Sequence, residues 1–160
     1  MPIKNKNITP EQARARLMAI CARSEQCTYQ LRQKLWKWGI PGNIADSIIN
    51  DLEKGRYVDD IRFARAFVHD KLTLSGWGER KVTAALTAYR IPSSVVRDLI
   101  QEIDSDIIEA NLLKILRNKA KLISDPFTYD GRTRMFRYAI SRGYRPEIVS
   151  KLIKEHFLHP

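Results

Sequence analysis

The sequence predicts an all-α protein built from three tandem three-helix repeats, stacked into an elongated and curved body. Three observations lead there. A turn-and-helix segment, Gly39-Ile40-Pro41-Gly42-Asn43-Ile44-Ala45-Asp46-Ser47-Ile48-Ile49, recurs from Arg90-Ile91-Pro92 to Ile100 and from Gly143-Tyr144-Arg145 to Ile153, at spacings of 51 and 53 residues. Apolar residues recur at helical spacing along most of the chain. Nothing alternates with period two over a strand length. The period divides the chain into residues 1–57, which include a short basic tail, 58–104 and 105–160.

The first helix has a strong start signal. Thr9 is expected as N-cap, Pro10 stands at the first helical position, and Gln12 is placed to close a capping box. Its apolar face is Ala13, Leu17, Ile20 and Cys21. Thr28 is expected to cap a second helix with Leu31, Leu35 and Trp38 on its inner face, stopped by Gly39, which tolerates a left-handed backbone. The third helix runs from about Asn43 to Lys54, with Ile44, Ile48, Ile49 and Leu52 in one stripe.

In the second repeat Asp59 is expected to cap, Val58 to staple onto Phe63, and both Asp59 and Asp60 to suit the positive end of the helix. Phe63, Phe67 and Leu74 are expected on one face. Ser75-Gly76-Trp77-Gly78 breaks the helix, Val82, Leu86 and Tyr89 mark the next, and Ser93 or Ser94 is expected to cap the one after. The third repeat opens with a long helix carrying Ile108, Leu112, Leu116 and Leu122. Its connection, Ser124 to Gly131, is the longest irregular stretch and the expected site of flexibility. Met135 and Ala139, then Ile148, Leu152 and Ile153, continue the stripes.

Overlaying the repeats matches Leu31 with Val82 and Met135, Leu35 with Leu86 and Ala139, Ile44 with Val95 and Ile148, and Ile48 with Leu99 and Leu152. These matched positions are the expected core, because interhelical packing demands apolar residues at such spacing.

Composition narrows the function. The net charge is +10, with 44% hydrophobic residues and two cysteines. Both ends are basic, while 58–104 is balanced, a pattern that points to a polyanionic or acidic partner. Cys21 and Cys27 lie far from the three histidines and match no common zinc spacing, so they read as reduced packing residues and no metal is expected. The polar start, Met1 to Asn7, lacks a signal-peptide pattern, and no run is long enough to cross a membrane; the expectation is a cytoplasmic protein. Helix-start chemistry accounts for Asp59 and Asp60, and no phosphate loop or nucleophile motif is present, so no catalytic residue and no cofactor are expected.

Arg23 to Leu35, the segment Tyr57-Val58-Asp59-Asp60-Ile61-Arg62-Phe63-Ala64-Arg65-Ala66-Phe67-Val68, and Gly78-Glu79-Arg80-Lys81-Val82 together resemble the RecX family of bacterial regulators of the RecA recombinase. The resemblance spans about residues 10–157 and is most specific at Asp59–Val68. The chain departs from the family pattern at Tyr89-Arg90-Ile91, where a Lys-Gly commonly precedes the Ile. The resemblance implies a protein lying along the groove of the RecA filament on single-stranded DNA. There it would inhibit ATP hydrolysis and strand exchange and so modulate recombination, DNA repair and the SOS response.

Candidate partner-binding residues follow from surface chemistry. Arg32, Lys34 and Lys37 sit between the apolar positions of the first repeat's middle helix, and Arg132, Arg134 and Arg137 occupy the equivalent stretch of the third. Such clusters suit carboxylates or phosphates. Arg80 and Lys81 join them in the second repeat. Trp36, off the apolar stripe, and Trp77, in a Gly-flanked turn, are candidate aromatic anchors or covers for a repeat junction. The expected partners are the RecA filament and single-stranded DNA, contacted by a monomer. The alternative is a stand-alone basic helical nucleic-acid-binding protein, which the composition would also support.

Overall fold

A computed structural model describes residues 8–160; the basic start over residues 1–7 lies outside them. The described residues form nine helices and no strand: α1 Pro10–Arg23, α2 Thr28–Lys37, α3 Gly42–Lys54, α4 Asp60–Thr73, α5 Glu79–Ala88, α6 Ser93–Gln101, α7 Ser105–Ala120, α8 Tyr129–Ser141 and α9 Pro146–His156. The most extensive helix pairings fall inside the repeats: α1 and α2 on α3, α5 on α6, and α7, α8 and α9 on one another. Two compact units result, one from Met1–Arg65 with Tyr89–Ile91, the other from Ala66–Ala88 with Pro92–Pro160, and their boundary falls within α4.

In the first unit α1 starts as its sequence dictates. The Gln12 N–H donates to Thr9 Oγ1 and the Thr9 N–H donates to Gln12 Oε1, a reciprocal capping box. The core gathers Ala13, Leu17, Leu31, Leu35, Ile48, Ile49 and Leu52, all buried. Arg14 reaches from α1 to Asp51 of α3 at 2.7 Å.

The start of α2 differs from the expected Thr28 cap. Cys27, buried and extended, is the N-cap, with its N–H donating to Gln30 Oε1 at 3.0 Å. Thr28 turns elsewhere: its N–H and its hydroxyl both donate to the Asp60 carboxylate at the head of α4, at 2.7 and 2.8 Å. Asp59 caps α4 itself, accepting from the Ile61 and Arg62 N–H groups. Arg62 then bonds Glu25 at 2.6 Å and the carbonyls of Arg56 and Tyr57. The Asp-Asp-x-Arg segment is thus a latch that fastens the α1–α2 turn to the head of α4.

The matched core positions hold, with a one-residue correction. Leu31, Val82 and Met135, then Leu35, Leu86 and Ala139, are fully buried, and Ile48, Leu99 and Leu152 nearly so. Ile44, Val95 and Ile148 are only half-buried; the buried positions are their neighbours Ala45, Val96 and Val149. In α3 the buried Ala45, Ile48, Ile49 and Leu52 recur at i, i+3, i+4 and i+7, so the inner face centres one residue past Ile44. Leu74 and Leu122 are mostly exposed, because both lie beyond the helix ends at Thr73 and Ala120. On α4 Phe63 is buried as expected, together with Ala64, Val68 and Leu72, while Phe67 is half-buried. Neither Ser93 nor Ser94 caps α6. Pro92, with φ −57° and ψ 138°, holds the cap position, so Ser93 is already helical.

In the second unit the turn after α4 is pinned from several sides. Asn111 of α7 donates to the Leu72 carbonyl at 2.7 Å, the Tyr144 hydroxyl donates to the Gly76 carbonyl at 3.0 Å, and Arg142 donates to the Ser75 carbonyl. The N–H groups of Gly78 and Arg80, at the start of α5, donate to the carbonyls of Arg142 and Gly143 at the end of α8. One helix start thereby satisfies another helix end, where each has groups without partners in its own helix. The approach is close. A Cβ on Gly78 would stand 2.2 Å from the Gly143 carbonyl carbon. The expected irregular connection before α8 is tied as well: Thr128 caps α8 through the Gly131 N–H and donates its hydroxyl to the Asp125 carbonyl.

Candidate binding surfaces on α2 and α8

The turn that ends the middle helix of each repeat sets the geometry of the first surface. Gly39 and Gly143 adopt φ of +75° and +96°, and the residue that follows each, Ile40 or Tyr144, is buried. In the second repeat the same position is Arg90, at φ +60°, followed by buried Ile91. A side chain in this left-handed region costs roughly 1–2 kcal/mol. Here it places the Arg90 guanidinium over the Tyr29 ring, 5.3 Å from its centroid. Tyr89 completes the corner, 6.4 Å from Tyr29 and edge-on to Phe63 at 5.6 Å.

Tyr29, Arg32, Gln33 and Trp36 fall on one face of α2, since 100° per residue brings positions three, four and seven apart together. Arg32, Gln33 and Trp36 are exposed, Trp36 by 59%. A groove of about 260 Å³ runs between this face and Tyr89 and Arg90. Arg32 pairs with Asp46 of α3, a contact at the surface. No residue of α2 is acidic. Lys37 lies exposed beside this face, and Lys34 is half-buried on another.

The second unit holds the remaining candidates. Arg134 and Arg137 are exposed on one face of α8. Arg132 belongs to the fold: it is half-buried and donates to the Phe127 carbonyl of the preceding turn. Trp77 is half-buried, edge-on to Phe67 at 6.0 Å, with the ammonium groups of Lys71 and Lys81 at 4.6 and 4.3 Å from its centroid. Both cations spend their charge on its ring. Arg80 is exposed on the wall of a groove of about 1050 Å³, where Arg97 and Arg145 are balanced by Glu79, Asp104 and Glu147. Among the described residues no cluster of three or more His, Cys, Asp or Glu is gathered to hold a metal, and no helix is long and apolar enough to cross a membrane.

A family model described as RecX, second three-helix domain, matches residues 59–100. The regulatory protein RecX of Clostridium botulinum (strain Alaska E43 / Type E3) is 26% identical over 128 residues, 79% of this chain and 59% of the relative. That of Vibrio parahaemolyticus serotype O3:K6 is 28% identical over 132 residues, covering 82% and 83%. These resemblances all point to the RecX family. The chain spans less than two thirds of the clostridial RecX proteins it matches. The crystal structure of RecX from Lactobacillus salivarius superposes with a TM-score of 0.80 at 15% identity, over 91% of this chain and 95% of that one. A second RecX crystal structure gives a TM-score of 0.83 at 12% identity. The fold is therefore the RecX fold. The segment matching the RecX family model contains the Asp59-Asp60-Arg62 latch, Gly78 at its close approach, and the strained Arg90.

The α2 face was legible in part. Arg32 and Trp36 stand out in the sequence, whereas Tyr29 and Gln33 pass unremarked although their spacing to Trp36 is helical. Tyr89 reads in the sequence as the end of the Val82-Leu86 stripe, and Arg90 has no periodic signal. The available clue was the repeat overlay, which sets Arg90 where the other two repeats have Gly.

Proposed function

We propose that this chain is a non-enzymatic regulator that binds the RecA–single-stranded DNA filament in its groove and inhibits its ATPase and strand-exchange activity. It acts as a cytoplasmic monomer. Likeness to proteins named regulatory protein RecX supports the regulatory part. The single observation that carries a binding role is Trp36, a large aromatic side chain 59% exposed on a helix without acids. Exposed tryptophans of this kind anchor interfaces, and arginines such as Arg134 and Arg137 suit acidic or phosphate-bearing partners.

A stand-alone nucleic-acid-binding role is the second reading, favoured by the absence of acids from α2 and by Tyr29 of α2 beside Tyr89. Salt separates the two. Capture of the chain by immobilised RecA–DNA filaments and by the bare strand is measured across a salt series. Filament regulation predicts capture by filaments that persists at salt concentrations where the bare strand has released the chain. Parallel loss from both surfaces would leave only the nucleic-acid reading.

A further inference from the structure

We infer that the exposed face of α2, together with the Tyr89–Arg90 corner, is a platform for single-stranded DNA, in which Trp36 stacks on a base and Arg32 and Arg90 hold neighbouring phosphates. The inference deepens the proposed function, because it rests on nucleic acid being one of the chain's contacts.

Four observations carry it. The face presents flat rings and cations without an aliphatic centre, the combination that holds unpaired strands through base stacking and backbone charge. Protein interfaces are instead built around an apolar core. Tyr29 and Trp36 stand seven residues apart, about 10 Å along the helix, so the two rings can meet different bases of one strand rather than a single base. The groove between Tyr29, Arg32, Gln33, Tyr89 and Arg90 is shallow, polar and aromatic, and Gln33 adds an amide able to bond a base edge. Finally, the chain keeps a strained Arg90 where its other two repeats use Gly, and this strain holds a guanidinium against a tyrosine at the groove. Backbone strain persists where the surrounding structure maintains it, often at binding sites.

The electrostatics agree. The N-terminus of α2, the natural place for an anion, is already filled by the Asp60 carboxylate, which leaves the arginines as phosphate ligands. Arg32 is paired with Asp46 only in an exposed contact, which water and salt weaken and a phosphate can replace.

The test is anisotropy of a labelled oligo-dT of about 15 nucleotides, with no recombinase present, for the wild type, Trp36→Ala and Arg90→Gly. Trp36→Ala removes an exposed ring and Arg90→Gly relieves strain, so thermal melts should show both variants folded. Loss of one stacked base predicts binding roughly tenfold weaker for Trp36→Ala. Loss of one phosphate contact predicts a salt dependence shallower by about 0.7 in log–log slope for Arg90→Gly. Wild-type affinity in both variants would overturn the assignment, as would a wild type that ignores oligo-dT. Displacement by poly-glutamate as effective as by unlabelled oligo-dT would also overturn it, showing a surface that reads charge alone. Because RecA is absent, these outcomes leave filament regulation to be judged separately.

Discussion

The Asp60 carboxylate takes both the backbone N–H and the hydroxyl of Thr28, at 2.7 and 2.8 Å, so that the first turn of α4 caps the first turn of α2. Two residues 32 apart in sequence thereby tie the heads of α2 and α4 together. Asp60→Ala should lower the denaturation midpoint by an amount equivalent to roughly 2–3 kcal/mol, the worth of hydrogen bonds to a charged group. Asp60→Asn keeps one acceptor and should lose less. Equal midpoints for Asp60→Ala and the wild type in a urea titration would refute the latch.

Gly78→Ala should be more damaging than its size suggests. The added carbon would meet the backbone of Gly143 at 2.2–2.4 Å, which forces α5 away from the α8–α9 turn and breaks the bonds from the Gly78 and Arg80 N–H groups. Overpacking of this kind costs roughly 1–3 kcal/mol or more. Gly42→Ala, with nothing within 4 Å of the added carbon, is the control and should melt like the wild type.

Leu35→Asp should unfold the first unit. Leu35 is fully buried in its core, and an unpaired carboxylate there costs several kcal/mol. A circular-dichroism melt that matches the wild type would contradict the core assignment.

Tyr144 gives a pH signature. Burial pushes its phenol from 10 up to about 12. The folded state keeps the proton that the unfolded chain releases near pH 10, so this contribution to stability is full below pH 10 and is lost as pH rises toward 12. Tyr144→Phe should show a shallower fall in stability across that window. At neutral pH the variant should be less stable by about 1 kcal/mol, the worth of the bond to the Gly76 carbonyl. Parallel pH profiles for the two proteins would remove Tyr144 as the titrating group.

Sequence and structure agree where a signal is local and differ where a residue serves a distant neighbour. Thr9, Pro10 and Gln12 announce α1 because capping is chemistry within four residues. Thr28 carries the same signal, yet its hydroxyl serves Asp60 and Cys27 takes the cap, since both the buried thiol and the latch are tertiary facts. The repeat overlay found Leu31, Leu35 and Ile48 with their counterparts because periodicity reports burial directly. It missed by one residue at Ala45, because Ile44 and Ala45 both border the helical face of Ile48 and Leu52 and an alanine gives a weak apolar signal. At the candidate surfaces, Trp36 was visible as an aromatic residue off the stripe. Arg132, similar in sequence to Arg134 and Arg137, proved to be a structural donor to Phe127, a distinction only the loop geometry makes.

The most direct measurement is the ATPase rate of RecA on single-stranded DNA, titrated with this chain and with an Arg134→Glu/Arg137→Glu variant, which spares Arg132 and so should keep its helicity. Inhibition by the wild type at ratios far below DNA saturation, weakened in the variant, is the predicted result. Inhibition only once the DNA is coated would contradict filament-directed regulation.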